Sequence, residues 1–438
     1  MSKTYVKCFA GDYAKGYADA VFKRQIPGFV DDQDSFLILD EVQESEVVYN
    51  HSRQIVRGLD AKVAFAGSFL GDAITKNYRG FPLGDVHRFI ALSATYREFV
   101  NSLDELAEYR SILDFTRSNP DAASKKVIEN SKLYWDIYYE LGGFPGMLLD
   151  GLQVARNFFI NARADFLSAY VFAMSVKTQL GLSTEAWAKT IGYIITSILC
   201  RKDPTDPDNI KAAQGQEKLL ALMTMELVYQ LMGWMEDSRI LRQIPVRNNL
   251  ETGNYYMSTK SMFTSYGLLC QLASSTGADG SLHKGVKAET FVLNELLSLK
   301  AMYQNNSLAN YYSVTSSEEI DFVFITNAGA IVLVEVKNTK VKTIPSQKAL
   351  ERGDANFLIK IFEGAGFVQG NTFTLPIYNV DRLSLIIHLI DIAFTNNMTL
   401  EEAFARYVSG IEDIVIKHDD EDEDEDNDEP EDEGEQES

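Results

Sequence analysis

EEIDFVFITNAGAIVLVEVKN, residues 318–338, holds two short apolar runs, Phe322 to Ile325 and Ile331 to Val336, on either side of an Asn-Ala-Gly turn. Runs of β-branched and aromatic residues parted by a few residues containing Asn and Gly predict two strands of a hairpin. The first run opens on Asp321, and the second closes on Glu335 and Lys337 with one valine between them. Strand side chains repeat every two residues, so Glu335 and Lys337 fall on one face. Packing gains nothing from a carboxylate and an amine on a strand this apolar, so their chemistry is what needs a cause.

The chain around this hairpin has 438 residues, a mass of 49.2 kDa and 45% apolar composition. That is enough for roughly two to four domains, each with its own core. The strongest membrane candidate, LSLIIHLIDIAF, is interrupted by His388 and Asp391 and falls short of the ~18 apolar residues a span requires. MSKTYVKCFAGDY lacks the apolar core of an export signal. The expected setting is therefore the cytoplasm, with no membrane partner. Cys8, Cys200 and Cys270 lie far apart and form no CxxC pair, so neither a disulfide framework nor a zinc site is expected, and buried thiols are. His51, His87, His283 and His388 show no ligand spacing.

The net charge of −22 is concentrated at one end. Residues 419–438, DDEDEDEDNDEPEDEGEQES, carry 15 of the 63 acidic residues, which leaves 48 acidic against 41 basic elsewhere, a net of −7. Like charge this dense, with no apolar residue, does not offset the entropy of ordering, so 416–438 is expected to be a disordered acidic tail. Two roles stay open for it: a solubiliser, or a DNA mimic that shields a basic groove.

The rest separates into three regions. Residues 1–100 alternate short strands (YVKCF, SFLILD, VAFAG) with amphipathic helices such as VVYNHSRQIVRGL, the pattern of an α/β domain with a parallel sheet. Residues 101–255 read as long helices, for example EKLLALMTMELVYQLMGWME, and 256–415 return to mixed α and β. In the first region SFLILDEVQES ends its strand on Asp40-Glu41, and VAFAGSFLG ends in Gly67-Ser68. In nucleotide hydrolases an acidic pair at the carboxyl end of a strand holds Mg²⁺ through the Asp and polarises the attacking water through the Glu. A small polar residue on the next strand, Ser68, is placed to sense the γ-phosphate.

With LILDEVQES and AFAGSFLGDAI, the stretches LSATYREFV, YYELGGFPG and LMGWMEDSRIL follow in an order that resembles a bacterial AAA-type ATPase family fused to a C-terminal domain of unassigned function, one that looks like a PD-(D/E)XK nuclease. The resemblance spans nearly all of residues 4–380. It implies a partial P-loop AAA-type ATPase core over 1–100, a helical lid over 101–175 around Gly142 to Pro145, and a winged helix over 176–255 around Trp234 to Leu241. A PD-(D/E)XK nuclease-like α/β domain over 256–415 then precedes the tail. ATP is the family's cofactor, with Asp40, Glu41 and Ser68 as its site. The Walker A loop G-x-x-x-x-G-K-[ST] is missing: GDYAKGYA has Gly11 and Gly16 at the right spacing, but Tyr17-Ala18 stand where Lys and Ser or Thr belong. Without that lysine nothing reaches the β and γ phosphates. The expectation is a chain that begins inside the ATPase fold, with three explanations open: a fragment, a mis-assigned start, or a form that has lost ATP hydrolysis.

The same resemblance accounts for the hairpin. It implies that Asp321 and Glu335 meet across the turn to hold Mg²⁺ or Mn²⁺, and that Glu289, in the upstream helix KAETFVLNELLSL, is a further acidic ligand. Lys337 would orient or deprotonate the attacking water. DNA is the expected partner, and a homo-oligomer stays open. STKSMFTSYGLLCQL departs from the family in lacking an acidic residue near Thr264. The rival reading is a catalytically inactive DNA- or protein-binding protein, because folds of this kind survive as binding modules.

Overall fold

The hairpin forms, and it is longer than its apolar runs: β6 (Glu318–Ile325) pairs antiparallel with β7 (Ile331–Lys337), Phe322 facing Val334 and Ile325 facing Ile331. The turn is closed by the Gly329 N–H donating to the Thr326 carbonyl at 3.0 Å, with Gly329 at φ +93°, a backbone state glycine adopts without strain. These observations come from a computed structural model. It describes residues 17–40, 42, 48, 51–66, 94–102, 122–143, 184–216, 223–237, 241–247, 255–264, 269, 284–303, 308–313, 318–337 and 345–410. The chain divides into two units, one made of Met1–Leu92, Phe166–Gln243 and Ser261–Thr264, the other of Ser93–Asp165, Ile244–Lys260 and Ser265–Ser438.

In the first unit, helix α1 (Tyr17–Gln25) precedes β1 (Phe36–Leu39), and α2 (Ser52–Gly58) leads to β2 (Lys62–Phe65). β1 and β2 are parallel, Phe36 beside Lys62 and Leu39 beside Phe65, as an α/β reading requires. Leu37 and Leu39 are buried with Phe22, Ile55 and Leu59, while Phe36 and Ile38 on the other face are exposed. Asp31 ties the entries of the two strands together, its Oδ1 accepting the N–H groups of Asp60 (2.8 Å) and Ala61 (2.9 Å). Farther along, α5 (Thr184–Leu199), α6 (Pro207–Gln216) and α7 (Met225–Asp237) follow. α5 and α7 pack on each other, burying Ile194, Ile198, Val228 and Leu231. Cys200, at the end of α5, is exposed and free, against the expectation of a buried thiol. Its helix ends there, with Arg201 at positive φ, so the side chain leaves the packed face. Cys8 and Cys270 lie outside the described residues.

The second unit holds most of a mixed sheet of order β4-β3-β5-β6-β7-β8-β10-β9, in which the start of β3 and the end of β4 are counted with the first unit. Its members are β3 (Leu241–Arg247), β4 (Tyr255–Phe263), β5 (Ala309–Ser313), the hairpin, β8 (Phe357–Phe362), β9 (Phe367–Gln369) and β10 (Thr372–Pro376). β8 runs parallel to β7, and α9 (Pro345–Arg352) is the crossover between them. Ala349 of α9 is buried with Val323, Leu333 and Leu358, so this helix covers the sheet beside the hairpin. β5 pairs with the front of β6 and extends it back to Glu318. Between Ala309 and Tyr311 the register slips, and β6 carries one extra residue from Ile320 to Val323. A bulge of this kind re-aims the side chains it contains, and Asp321 lies within it.

Helix α8 (Lys284–Tyr303) packs against β7 and buries Phe291, Val292 and Leu296. Two stretches that carried the family resemblance meet beside it. The Ala94 N–H donates to the Gly143 carbonyl at 2.6 Å, and the Tyr138 hydroxyl to the Ala94 carbonyl at 2.6 Å. Tyr138 belongs to α4 (Ala122–Leu141), whose aromatic residues pack rather than face solvent: Tyr138, Tyr96 and Phe291 form edge-to-face contacts at 5.5–5.7 Å. α3 (Tyr96–Ser102) is opened by a capping box, with Thr95 N–H to Glu98 Oε2 at 2.7 Å and Glu98 N–H to Thr95 Oγ1 at 3.1 Å. A short 3₁₀ segment (Ile377–Arg382) and α10 (Leu383–Thr395) complete this layer. Among the described residues no single helix is long and apolar enough to cross a membrane, and the apolar pair Ile377–Thr395 and Leu400–Gly410 is bent by 115°.

Candidate functional site

Asp321, Glu335 and Lys337 come together at the open end of the hairpin. The pairing Phe322–Val334 sets the next step, Asp321 opposite Glu335, but there the Asp321 side chain replaces the ladder: its Oδ2 accepts the Val336 N–H at 2.8 Å. Lys337 Nζ lies 2.7 Å from Glu335 Oε1 and 3.6 Å from Asp321 Oδ2. Both carboxylates are buried, while the lysine is about one-third exposed, at 34%. A partly exposed ammonium thus lies against two buried carboxylates.

Burial pushes Glu335 up to about 7, and repulsion from Asp321 adds to this; Lys337 and Ser346 pull the other way. Ser346 comes from the first turn of α9 and faces that carboxylate beyond hydrogen-bond geometry, so Ser346 Oγ and Glu335 Oε2 are both buried without a hydrogen-bond partner. Burial by itself would lower Lys337, but Asp321 and Glu335 outweigh it and hold the ammonium above the usual lysine range.

Glu289, on α8, is buried and bound by Lys260 of β4 at 3.2 Å, and the same ammonium reaches Glu319 of β6 at 2.8 Å. Burial would lower Lys260 too, yet Glu289, Glu319 and Asp321 raise it above its ordinary value. Glu289 also acts on Lys337. The neighbourhood is therefore an alternating set of four carboxylates, Glu289, Glu319, Asp321 and Glu335, threaded by Lys260 and Lys337. Sequence reasoning missed Lys260 and Glu319. Glu319 sits two residues before Asp321 and was open to the same argument from alternation; Lys260, on a strand distant in sequence, had no local signal.

Among the described residues no three His, Cys, Asp or Glu side chains are grouped so as to hold a metal ion. The pair Asp321 and Glu335 does fit a hard divalent cation that keeps several of its waters: both are carboxylates, and Glu335 Oε2 is buried and unpartnered. Asp40 follows β1 and is exposed; Glu41 and Ser68 lie outside the described residues, as do Gly11 and Gly16. Thr264, where the acidic residue is lacking, is buried.

Residues 284–379, which run from the start of α8 through the hairpin into the 3₁₀ segment, match a family model described as a domain of unknown function (DUF4143), a domain found in AAA-ATPase-associated proteins. No curated protein matches the chain. No solved structure matches it either.

Proposed function

We propose that this chain is an AAA-type ATPase-like protein whose C-terminal domain cleaves DNA phosphodiester bonds with Mg²⁺ or Mn²⁺. The observation that carries the reading is the convergence of Asp321, Glu335 and Lys337 across one hairpin, with a buried carboxylate oxygen of Glu335 left without a partner. A divalent cation bound there supplies Lewis-acid polarisation of a phosphate and an acidified water. Asp321 and Glu335 are the residues that hold it. Glu289, paired with Lys260, adds a further carboxylate in the same neighbourhood. Lys337, held charged by its two carboxylate neighbours, acts as a cation that orients the attacking water and meets developing negative charge, rather than as the base.

The remainder of the reading rests on the resemblance. The parallel pair β1–β2 with Asp40 after it supports an ATPase-like core, and α4 supports the helical lid; the winged helix rests on the resemblance alone, since β3 joins the sheet of the hairpin. The match at 284–379 supports the ATPase association. ATP hydrolysis is absent from this 438-residue chain because its sequence holds no Walker A loop.

Purified protein incubated with duplex, single-stranded and branched DNA tests this. Cleavage is expected with Mg²⁺ or Mn²⁺, lost in both Glu335→Ala and Lys337→Ala, with metal affinity weakened mainly by the first. Cleavage that persists in both variants places the chemistry elsewhere. A wild type that binds DNA and never cuts it establishes the binding protein instead.

A further inference from the structure

The site continues sideways along the sheet. β7 and β8 are parallel with Glu335 beside Lys360, and β8 and β10 are parallel with Lys360 beside Thr374. In-register residues of neighbouring strands project from the same face, so Glu335, Lys360 and Thr374 form one polar row across three strands. Two residues earlier on β7 and β8 lie Leu333 and Leu358, which are buried with Ala349 of α9. The polar row is thus the next step along the face that α9 covers, towards the first turn of that helix, where Ser346 sits beside Glu335.

The charges in this row are unevenly matched. Lys337 is engaged by Glu335 and Asp321, and Lys260 by Glu289 and Glu319. Lys360 makes no ion pair within 4 Å with any described residue, although Glu335 and Glu351 act on it from farther away; the Glu351 carboxylate accepts a bond from Gln347. In the same row, Thr374 Oγ1 beside Lys360 and Ser346 Oγ beside Glu335 are buried hydroxyls with no hydrogen-bond partner among the described residues. A half-buried ammonium in one row with unsatisfied hydroxyls is costly for folding alone. It is also the donor set that an oxyanion takes: one cation, two hydroxyls and the N-terminal turn of a helix.

We propose that Lys360, with Ser346 and Thr374, binds a backbone phosphate of the nucleic acid adjacent to the one at Asp321 and Glu335, and so positions the strand over the site. The identity of the ligand rests on the DNA-cleavage reading; the phosphate subsite rests on the register. Lys360 is a positioning residue, and its signature is in binding.

The test is fluorescence anisotropy of a labelled DNA duplex with the full chain, in the absence of divalent cations so that nothing is cut, titrated from about 50 to 200 mM salt. Lys360→Gln is expected to raise Kd several-fold at low salt and to reduce the slope of log K against log salt by about 0.9, the loss of one phosphate contact. Lys360→Arg restores the slope, and Thr374→Val weakens binding with the slope unchanged. A Lys360→Gln chain that folds and matches wild type in both Kd and slope overturns the inference, as does a wild type that binds no DNA. A wild type that binds and never cuts, while Lys360→Gln still lowers the slope, sustains the subsite and removes the cleavage reading.

Discussion

Replacing Glu295 by Gln is expected to stabilise the protein, and more so as pH rises. Glu295 lies on α8, is buried, and its Oε1 accepts the Tyr96 N–H at 2.6 Å, so it caps the start of α3 from 199 residues away in sequence. Burial pushes its carboxyl up to about 8 from 4.5, with Asp381 and Glu98 adding repulsion and the backbone bonds from Tyr96 and Arg97 opposing. A carboxyl whose folded value is raised holds its proton in the folded state after the unfolded chain has released it. Stability is then greatest below about pH 4.5 and falls as pH rises to about 8, by about 1.4 kcal/mol per pH unit within that window. Integrated from pH 5 to pH 8 the loss is about 3 to 4 kcal/mol, an order-of-magnitude figure. Glutamine keeps an acceptor for Tyr96 and carries no charge to desolvate. Thermal melting of wild type and Glu295→Gln at pH 5, 6, 7 and 8 should show near-equal midpoints at pH 5 and a gap of roughly 10 °C at pH 8, at about 2–4 °C per kcal/mol. Glu295→Ala, which removes the acceptor, should be less stable than the Gln variant throughout. Parallel midpoint curves for wild type and Glu295→Gln would refute the buried-proton argument.

Three other outcomes follow from separate observations. Gly143→Ala puts a methyl onto the Ala94 carbonyl oxygen and against Tyr138 Oη, so it should cost about 1–3 kcal/mol, read as a lower melting midpoint. Deleting residues 419–438 removes 15 negative charges; DNA affinity should rise at low salt and the gain should shrink as salt is added, whereas equal affinities at low salt would leave the tail a solubiliser. Calorimetry with Mg·ATP should find no micromolar binding, and phosphate release should match an Asp40→Ala, Glu41→Ala control, because the sequence contains no G-x-x-x-x-G-K-[ST] motif; turnover lost in that control would show a phosphate loop elsewhere in the chain.

Local pattern was sufficient wherever a period of two or a turn signal decides the outcome. The hairpin about Asn327 to Gly329, the shared face of Glu335 and Lys337, and the strands Phe36–Leu39 and Lys62–Phe65 were all legible, since each depends on residues within a few positions of one another. The acidic charge of residues 419–438 is a matter of composition alone, and the expected tail at 416–438 lies outside the described residues. What tertiary structure decided is the set of partners. The bulge at Ile320 to Val323 that aims Asp321 at Val336 arises from a one-residue slip against β5, and nothing in the β6 sequence announces it. Lys260 reaches Glu289 and Glu319 only once β4 has joined the sheet, and Lys360 falls beside Glu335 only because β7 and β8 pair in that register. The cap that Glu295 places on Tyr96 is likewise a long-range choice. Strand register is set by which whole faces are buried, and shifting it by one residue moves every side chain to the other face. A local reading therefore recovered the carboxylates and lysine of the hairpin, and only the assembled sheet supplied the lysines and carboxylates around them.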